Sequence, residues 1–421
     1  MAGIALVLTV GGSHEPLLAA IEHVRPDFVL FVCSVDDPVT GNKGSYTQIL
    51  SEGKIIRASF NDSKPTLENI PAQAGLEEDG FKVVQVSSDE IDQAYNVMSH
   101  ELQLLVSGYG QVICDYTGGT KSMSSSLVLA AVDNENVQLQ VVAGARGNLR
   151  KIDSAFQSVQ RANVARTRFR DSLNKALTNW QQYNYSTALN ELNVLKTSNP
   201  EDLVALTSAK VASQAFAAWD VFNHEEAREM LNHISKKLTK EKRIYLQQVG
   251  MICSDSKISV PNRLFDLWLN AERCAARGRF DDATSRVYRL SEWCSQWMLQ
   301  HYKNIDTADI SESEIPPTVR IPYNERKGVY MASLVQSWDL AAAVCGDSAA
   351  NFWKRNRDTV LNLLEIRNNS ILAHGYEPIS QTNWHEIYAF YTSELLPFML
   401  EEFKVLKISR MPEQLPREWS E

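Results

Sequence analysis

The 421-residue chain has no C-x-x-C pair, no apolar run of membrane length and no surplus of positive charge, and each absence removes a class of function. Its six cysteines, Cys33, Cys114, Cys253, Cys274, Cys294 and Cys345, stand singly, two of them in apolar strand-like runs. They read as reduced thiols of a cytoplasmic protein rather than as a disulfide framework. A bilayer-spanning helix takes about 20 apolar residues, so no membrane is expected as a partner. The apolar start Ile4 to Val10 has no basic leader and runs directly into Gly11-Gly12, which marks a first buried strand rather than a signal peptide. A formal net charge of −9 excludes a general basic coat, so any contact with nucleic acid must be local. Four His-Glu pairs lack the second histidine of a zinc helix, the position being held by Leu18, Leu104, Arg228 and Ala389, and no metal site or other cofactor is expected. What remains, 44% hydrophobic and 22% charged, is an ordinary globular composition long enough for two or three domains.

Residues 1 to about 150 alternate helix-like segments with the apolar runs Ile4–Val10, Phe28–Ser34, Lys82–Ser87, Gln111–Thr117 and Val137–Gly144. This pattern predicts an α/β layer of parallel strands with ligands bound outside their carboxyl ends, where the loops after Val10 and Tyr116 lie. From about Gln157 the strand signal stops and the chain reads as helix after helix, which puts a boundary near 150–165. Trp180, Tyr183 and Ala188 recur at the spacing of Trp219, Phe222 and Ala227, and Gly278 to Ala283 repeats the end of that pattern. Helical hairpins resembling tetratricopeptide units are implied, although plain large-small packing between antiparallel helices explains the same spacing. Ile315-Pro316-Pro317 and Ile321-Pro322 forbid a continuous helix across Ser311 to Gly328, so a long loop carrying Arg320, Arg326 and Lys327 is expected there.

Near the C-terminus, Leu361, Leu364, Ile371 and Leu372 fall at helical spacing in a segment ended by Gly375 and Pro378, and predict one amphipathic helix. Arg367 and His374 are seven residues apart, about 700° around such a helix, so they would project within about 20° of each other. A guanidinium fork suits a phosphate and an imidazole moves protons near neutral pH, a pair fitted to RNA cleavage by the ribose 2′-hydroxyl without a metal. The last helical turn would also favour the protonated imidazole as general acid. Equally, Arg367 would make a surface ion pair with Glu365 or a neighbour while His374 caps the helix, and spacing alone does not choose. The string Glu365 to Gly375, with Arg367, Asn368 and His374, resembles the R-x4-6-H motif of HEPN-domain ribonucleases. That resemblance implies an all-helical domain that dimerises into one composite cleft, with Arg367 and His374 catalytic and Asn368 supporting. Residues Ala271 to Glu292, carrying Arg286, Tyr288 and Arg289, resemble an early helix of the same domain.

In the N-terminal half, Val112 to Met123 reads as a buried strand, a Gly-Gly turn and a helix start. Free main-chain N–H groups at such a turn, glycines that admit close approach and the charge of Lys121 make an anion site. Asp115 and Thr120 occupy the glycine positions of a Walker loop, so it is not one. Gly11, Gly12 and Ser13 form a second such turn on the same edge, which plain turning and capping also explain. The string Asp115 to Met123, with Thr117, Gly118, Gly119, Thr120, Lys121 and Ser122, together with the Gly11-Gly12-Ser13 loop, resembles the CARF domains of CRISPR-associated ancillary proteins. It implies a Rossmann-like sensor holding a cyclic oligoadenylate, tetra- or hexa-adenylate, across the two-fold axis of a homodimer.

The expected architecture is thus an α/β Rossmann-like CARF domain (1–155), a helical linker (156–260) and an all-α HEPN domain (261–421). The resemblance implies a cytoplasmic, metal-independent endoribonuclease of type III CRISPR defence, activated by cyclic oligoadenylate, cutting single-stranded RNA to 2′,3′-cyclic phosphate ends. The alternative is a catalytically inert sensor that regulates a partner or cleaves its own ligand. A metal-dependent nuclease using Glu325-Arg326-Lys327 or Glu402-Phe403-Lys404 is the third possibility.

Overall fold

The computed structural model describes residues 3–50, 67–147, 151–236, 238 and 242–419. The chain forms two compact units, Met1–Asp171 and Ser172–Glu421.

The first unit is a six-stranded sheet in the order β3-β2-β1-β4-β5-β6. The strands are β1 (Ile4–Thr9), β2 (Phe28–Ser34), β3 (Phe81–Val86), β4 (Gln111–Asp115), β5 (Val137–Gly147) and β6 (Lys151–Ala162). All neighbours are parallel except β5 and β6. Between them run α1 (Glu15–Val24), the short helices α2 (Thr47–Leu50) and α3 (Ile70–Gln73), α4 (Ile91–Gly108) and α5 (Lys121–Val132). The near-continuous apolar strands follow from burial on both faces. Ala5, Val7, Leu30, Val32 and Cys114 pack with Met98, Leu102 and Leu127 of α4 and α5. The alternate residues Leu6, Leu8, Phe31 and Cys33 pack with Leu17 and Ala20 of α1. Burial pushes the Cys33 thiol up to about 12, so this cysteine behaves as a small core hydrophobe.

The sixth strand is not among the strand-like runs of the sequence, and it continues past Gln157, where the strand signal stops. Ile152, Ala155, Phe156 and Val159 are spaced as on a helix, yet the segment pairs antiparallel with β5 from Leu139↔Ala162 to Gly147↔Lys151. Backbone pairing at a sheet edge overrides the side-chain period there.

The second unit is helical. The structure repeats one turn three times, at the residues whose spacing recurs in the sequence. Tyr183, Phe222 and Gly278 adopt left-handed conformations with φ of 56°, 64° and 72°. Each N–H bonds back to the carbonyl three residues earlier, Trp180, Trp219 and Ala275, and the next residue bonds five back. Ala188, Ala227 and Ala283, five residues past each turn, are fully buried. The hairpins so formed join α6 (Ala165–Thr178) and its 3-10 extension to α7 (Tyr185–Val194), α8 (Pro200–Asp220) to α9 (His224–His233), and α11 (Ser259–Ala276) to α12 (Phe280–Lys303), with α10 (Arg243–Ile252) between the last two pairs. Alanine at the close-approach point lets each helix pair pack tightly.

Beyond α12, a loop with a two-residue hairpin, β7 (Tyr323–Asn324) and β8 (Val329–Tyr330), leads to α13 (Leu334–Val344), α14 (Asp347–Asn368), α15 (Gln381–Phe390) and, after a π-helical turn, α16 (Leu396–Phe403). The loop expected across Ser311 to Gly328 is present and packed, with Ile310, Val319 and Ile321 buried against Leu299 and Leu340. Trp268, Leu290, Trp338, Phe352, Trp384 and Phe403 centre the core of helices α11 to α16. No helix among the described residues is long and apolar enough to cross a membrane.

Candidate functional site

Two loop systems carry the residues singled out in the sequence, one in each unit. In the first unit, β1 leads through β2 to β3 on one side while β4 and β5 lie on the other, so the strand order reverses between β1 and β4. Loops at such a switch point leave a crevice at the carboxyl edge. The loops after β1 and β4 interlock there through glycines. A Cβ on Gly118 would lie 2.2 Å from the Thr9 carbonyl oxygen, and one on Gly11 would lie 2.7 Å from the Gly119 nitrogen. The Thr9 hydroxyl donates to the Gly118 carbonyl at 2.7 Å, and the Ser124 hydroxyl to the same oxygen at 2.6 Å.

Beneath this contact lies Asp115, a buried carboxylate. Its oxygens accept from the Thr117 N–H and hydroxyl and, at 3.1 Å, from Gln140 Nε2. Burial raises its carboxyl above the ordinary aspartate value, against these hydrogen bonds. The Thr117 hydroxyl in turn accepts from the Val142 N–H at 2.7 Å. Thr120 caps α5, accepting from the Met123 N–H at 3.2 Å while its hydroxyl donates to the Ser88 carbonyl. Both threonine hydroxyls therefore have their single proton committed, to Asp115 and to the Ser88 carbonyl. By contrast, no described residue accepts a hydrogen bond from the main-chain N–H of Gly118, Gly119, Thr120, Lys121 or Ser122. Five such donors, the N-terminus of a 12-residue helix and the exposed ammonium of Lys121 make a strong electrostatic well for an anion. Gln48, to which no sequence motif points, donates to the Gly11 carbonyl at 2.5 Å and holds the first loop.

In the second unit the geometry corrects one expectation. Helix α14 ends at Asn368, and His374 lies beyond it in a tight turn, so Arg367 and His374 share no helical face and His374 does not sit at the dipole of a last helical turn. Ile371 and Leu372 satisfy the helical period but are 58% and 55% exposed, with no core to draw the helix onward. Asn368, Asn369 and Ser370 also favour local turn hydrogen bonds over helix. Ser370 pairs with Glu377 as an isolated bridge, and the Ile371 N–H donates to the Glu377 carbonyl at 3.1 Å.

The turn nonetheless draws the three residues together, through Asn368. The Asn368 carbonyl accepts from the His374 N–H at 3.1 Å, and its side-chain oxygen accepts from Arg367 Nη1 at 3.1 Å. Arg367 occupies the last turn of α14, where the helix dipole favours a cation. Its guanidinium lies over the Tyr288 ring, 4.6 Å from Cζ to the centroid, and Glu365 is not its partner. The His374 imidazole is exposed. The far end of the loop is pinned by Asp281, whose Oδ2 accepts from the buried Ile379 N–H at 3.0 Å. Asp281 and Tyr288 are seven residues apart on α12, so one helix face anchors both ends of the loop. Of these two, Tyr288 stands out in the sequence through the resemblance of Ala271 to Glu292, whereas Asp281 lies in the repeated Gly278 to Ala283 stretch with no role of its own. Arg286 and Arg289 from the same stretch are taken up by ion pairs with Asp282 and Glu292.

Gly375 closes the turn, and a Cβ there would lie 1.7 Å from the Asn369 carbonyl oxygen, a backbone atom that cannot yield. Gly375→Ala is expected to open it. Amide hydrogen exchange should then show lost protection at His374 and Gly375 with α14 and α15 unchanged; retained protection at both amides contradicts this geometry.

Residues 255–396 match the family model described as the Csm6 HEPN domain. The C-terminal segment is a Csm6-type HEPN domain. It contains Tyr288, Arg367, Asn368 and His374. Among solved structures, the chain is similar to Enterococcus italicus Csm6 bound to cyclic hexa-2′-fluoro-hexa-dAMP, at 12% identity and a TM-score of 0.51 over 96% of this chain and 95% of that one. At that identity the likeness concerns the fold: a Rossmann-like mixed sheet followed by a helical half with the HEPN domain. Can2 from Sulfobacillus thermosulfidooxidans in complex with cyclic tetra-adenylate matches at 11% identity over 74% of this chain and 73% of that one, with a TM-score of 0.24. No curated protein matches the chain in sequence.

Proposed function

We propose that the chain is an endoribonuclease of type III CRISPR defence that cuts single-stranded RNA when cyclic oligoadenylate binds its first unit. The observation that carries this reading is the Csm6-type HEPN domain with Arg367 and His374 tied to Asn368 in one turn. Residues 1–155 are the sensor, 156–260 the helical linker and 261–421 the nuclease. The working form is a cytoplasmic homodimer whose HEPN domains share a cleft.

In the proposed reaction the 2′-oxygen bonds to phosphorus as the bond to the 5′-oxygen breaks, leaving a 2′,3′-cyclic phosphate and a free 5′-hydroxyl. Arg367 offers N–H donors to the phosphate oxygens as charge develops there. The His374 imidazolium gives its proton to the departing 5′-oxygen, and the second copy's imidazole accepts the proton of the 2′-hydroxyl. No step draws on a metal. Asn368 supports both residues. In the sensor, Gly11, Gly12 and Ser13 line one side, and the free N–H groups of Gly118 to Ser122 receive phosphates of the ring. Thr117 and Thr120 shape the loop. The ligand favours the active arrangement by the difference in its affinity for the two states.

End-labelled single-stranded RNA incubated with the full chain in excess EDTA tests this. Cutting that requires added cyclic tetra- or hexa-adenylate and leaves ends resistant to phosphatase until acid treatment is expected. Ligand binding without cutting supports the inert sensor instead, and activity abolished by the chelator supports a metal-dependent nuclease.

A further inference from the structure

We infer that Tyr288 is the positioning residue of Arg367, holding the guanidinium by its ring in place of a carboxylate. The inference rests on the role of Arg367 proposed above. Thr284, Tyr288 and Ser291 of α12, spaced i, i+4 and i+7, face Val360, Leu364 and Arg367 of α14 at the same spacing across a small cavity. Among the atoms of its lining residues, the Thr284 hydroxyl and Arg367 Nε are buried and have no hydrogen-bond partner among the described residues. The wall beside Arg367 thus offers it no carboxylate, and the guanidinium is located by two contacts: the Tyr288 face at 4.6 Å and Asn368 Oδ1 at 3.1 Å from Nη1.

The absence of a carboxylate has a chemical consequence. Arg286 and Arg289 on the same helix each pair with an acidic side chain, which fixes them and cancels their charge. An arginine that must receive a phosphate needs the first effect and is harmed by the second, since a resident carboxylate competes for the same fork of donors. An aromatic face attracts the cation and occupies none of its N–H groups. Tyr288 therefore restricts the rotamers of a long side chain while leaving its charge and Nη2 donors available, so that less ordering is needed when RNA arrives. The part of Tyr288 that matters is the ring.

Steady-state cleavage of RNA by the activated full chain, well below its melting temperature, tests this with Tyr288→Phe, Tyr288→Leu and the flexible, similarly sized Tyr288→Met. Loss of a cation–π contact predicts kcat about 3- to 30-fold lower for the Leu and Met variants with KM little changed. Tyr288→Phe is expected to restore kcat to within about twofold, since Phe offers nearly the same face. Wild-type kcat in the Leu or Met variant, or a Phe variant as slow as they are, overturns the inference. Arg367→Ala is run beside them: if it cuts at the wild-type rate, the reading of the site itself fails, whereas an inactive Arg367→Ala with an unaffected Tyr288→Met removes only the positioning role.

Discussion

His374→Ala is expected to slow activated RNA cleavage by about 10²–10⁴-fold, the range for removing a positioned proton-transfer group. At about 1.4 kcal/mol per factor of ten, this is about 3–5 kcal/mol of transition-state stabilisation. The substitution isolates chemistry from folding. His374 is exposed, and its structural contribution is its main-chain N–H to the Asn368 carbonyl at 3.1 Å, which alanine keeps. Surface substitutions of this kind change stability by about 0.5 kcal/mol or less, so the melting temperature should barely move. The measurement is a single-turnover rate on labelled RNA with saturating activator. A rate within a few-fold of wild type removes His374 from the catalytic step, and the exposed imidazole is then a surface residue on a turn. If the rate falls together with the melting temperature, the turn has collapsed, and the Gly375→Ala exchange pattern identifies that case independently.

The parts of the molecule legible in the sequence are those where side-chain period and environment agree. β1, β2 and β4 are buried on both faces, so their apolar runs are unbroken, and both glycine turns sit where parallel topology puts them. The triple recurrence around Trp180, Trp219 and Gly278 corresponds to one turn geometry because the spacing records a physical need: a left-handed residue, then a small residue at the helix contact. Two elements were not legible for the opposite reason. In β6 the apolar spacing imitates a helix while the backbone pairs at a sheet edge. Past Asn368, Ile371 and Leu372 keep the period and are exposed, so periodicity suggested a helix that no core supports. The Arg367 side chain and the His374 main-chain N–H both bond to Asn368 in a turn closed at Gly375, and the close approach there, against the Asn369 carbonyl, has no counterpart in residue spacing.

Gly118→Ala is expected to weaken binding of cyclic tetra- or hexa-adenylate by at least about 100-fold, because the site proposed there is made of backbone held in one shape. The added methyl would meet the Thr9 carbonyl oxygen at 2.2 Å, so the two loops must part. Parting them breaks the 2.7 Å bond from the Thr9 hydroxyl to the Gly118 carbonyl. The segment that carries the N–H groups of Gly118 to Ser122 is then displaced. Lys121→Ala provides the contrast. Its ammonium is exposed, and one exposed ionic contact contributes about 0.2–1 kcal/mol, a factor of about 1.5–5 in affinity. The ranking therefore separates two physical accounts of the sensor. If shape dominates, titration calorimetry with the cyclic nucleotide gives a large loss for Gly118→Ala and a small one for Lys121→Ala, with the melting temperature of each variant checked alongside. If charge dominates, the order reverses and the salt dependence of wild-type binding is steep. Wild-type affinity in the folded Gly118→Ala variant would place the ligand away from this switch point altogether. Cleavage activity then supplies the link between the units: in a cyclic-nucleotide-gated enzyme, the activator concentration giving half-maximal cutting by Gly118→Ala must rise by the same factor as its dissociation constant, since the ligand acts only through the binding free energy it contributes.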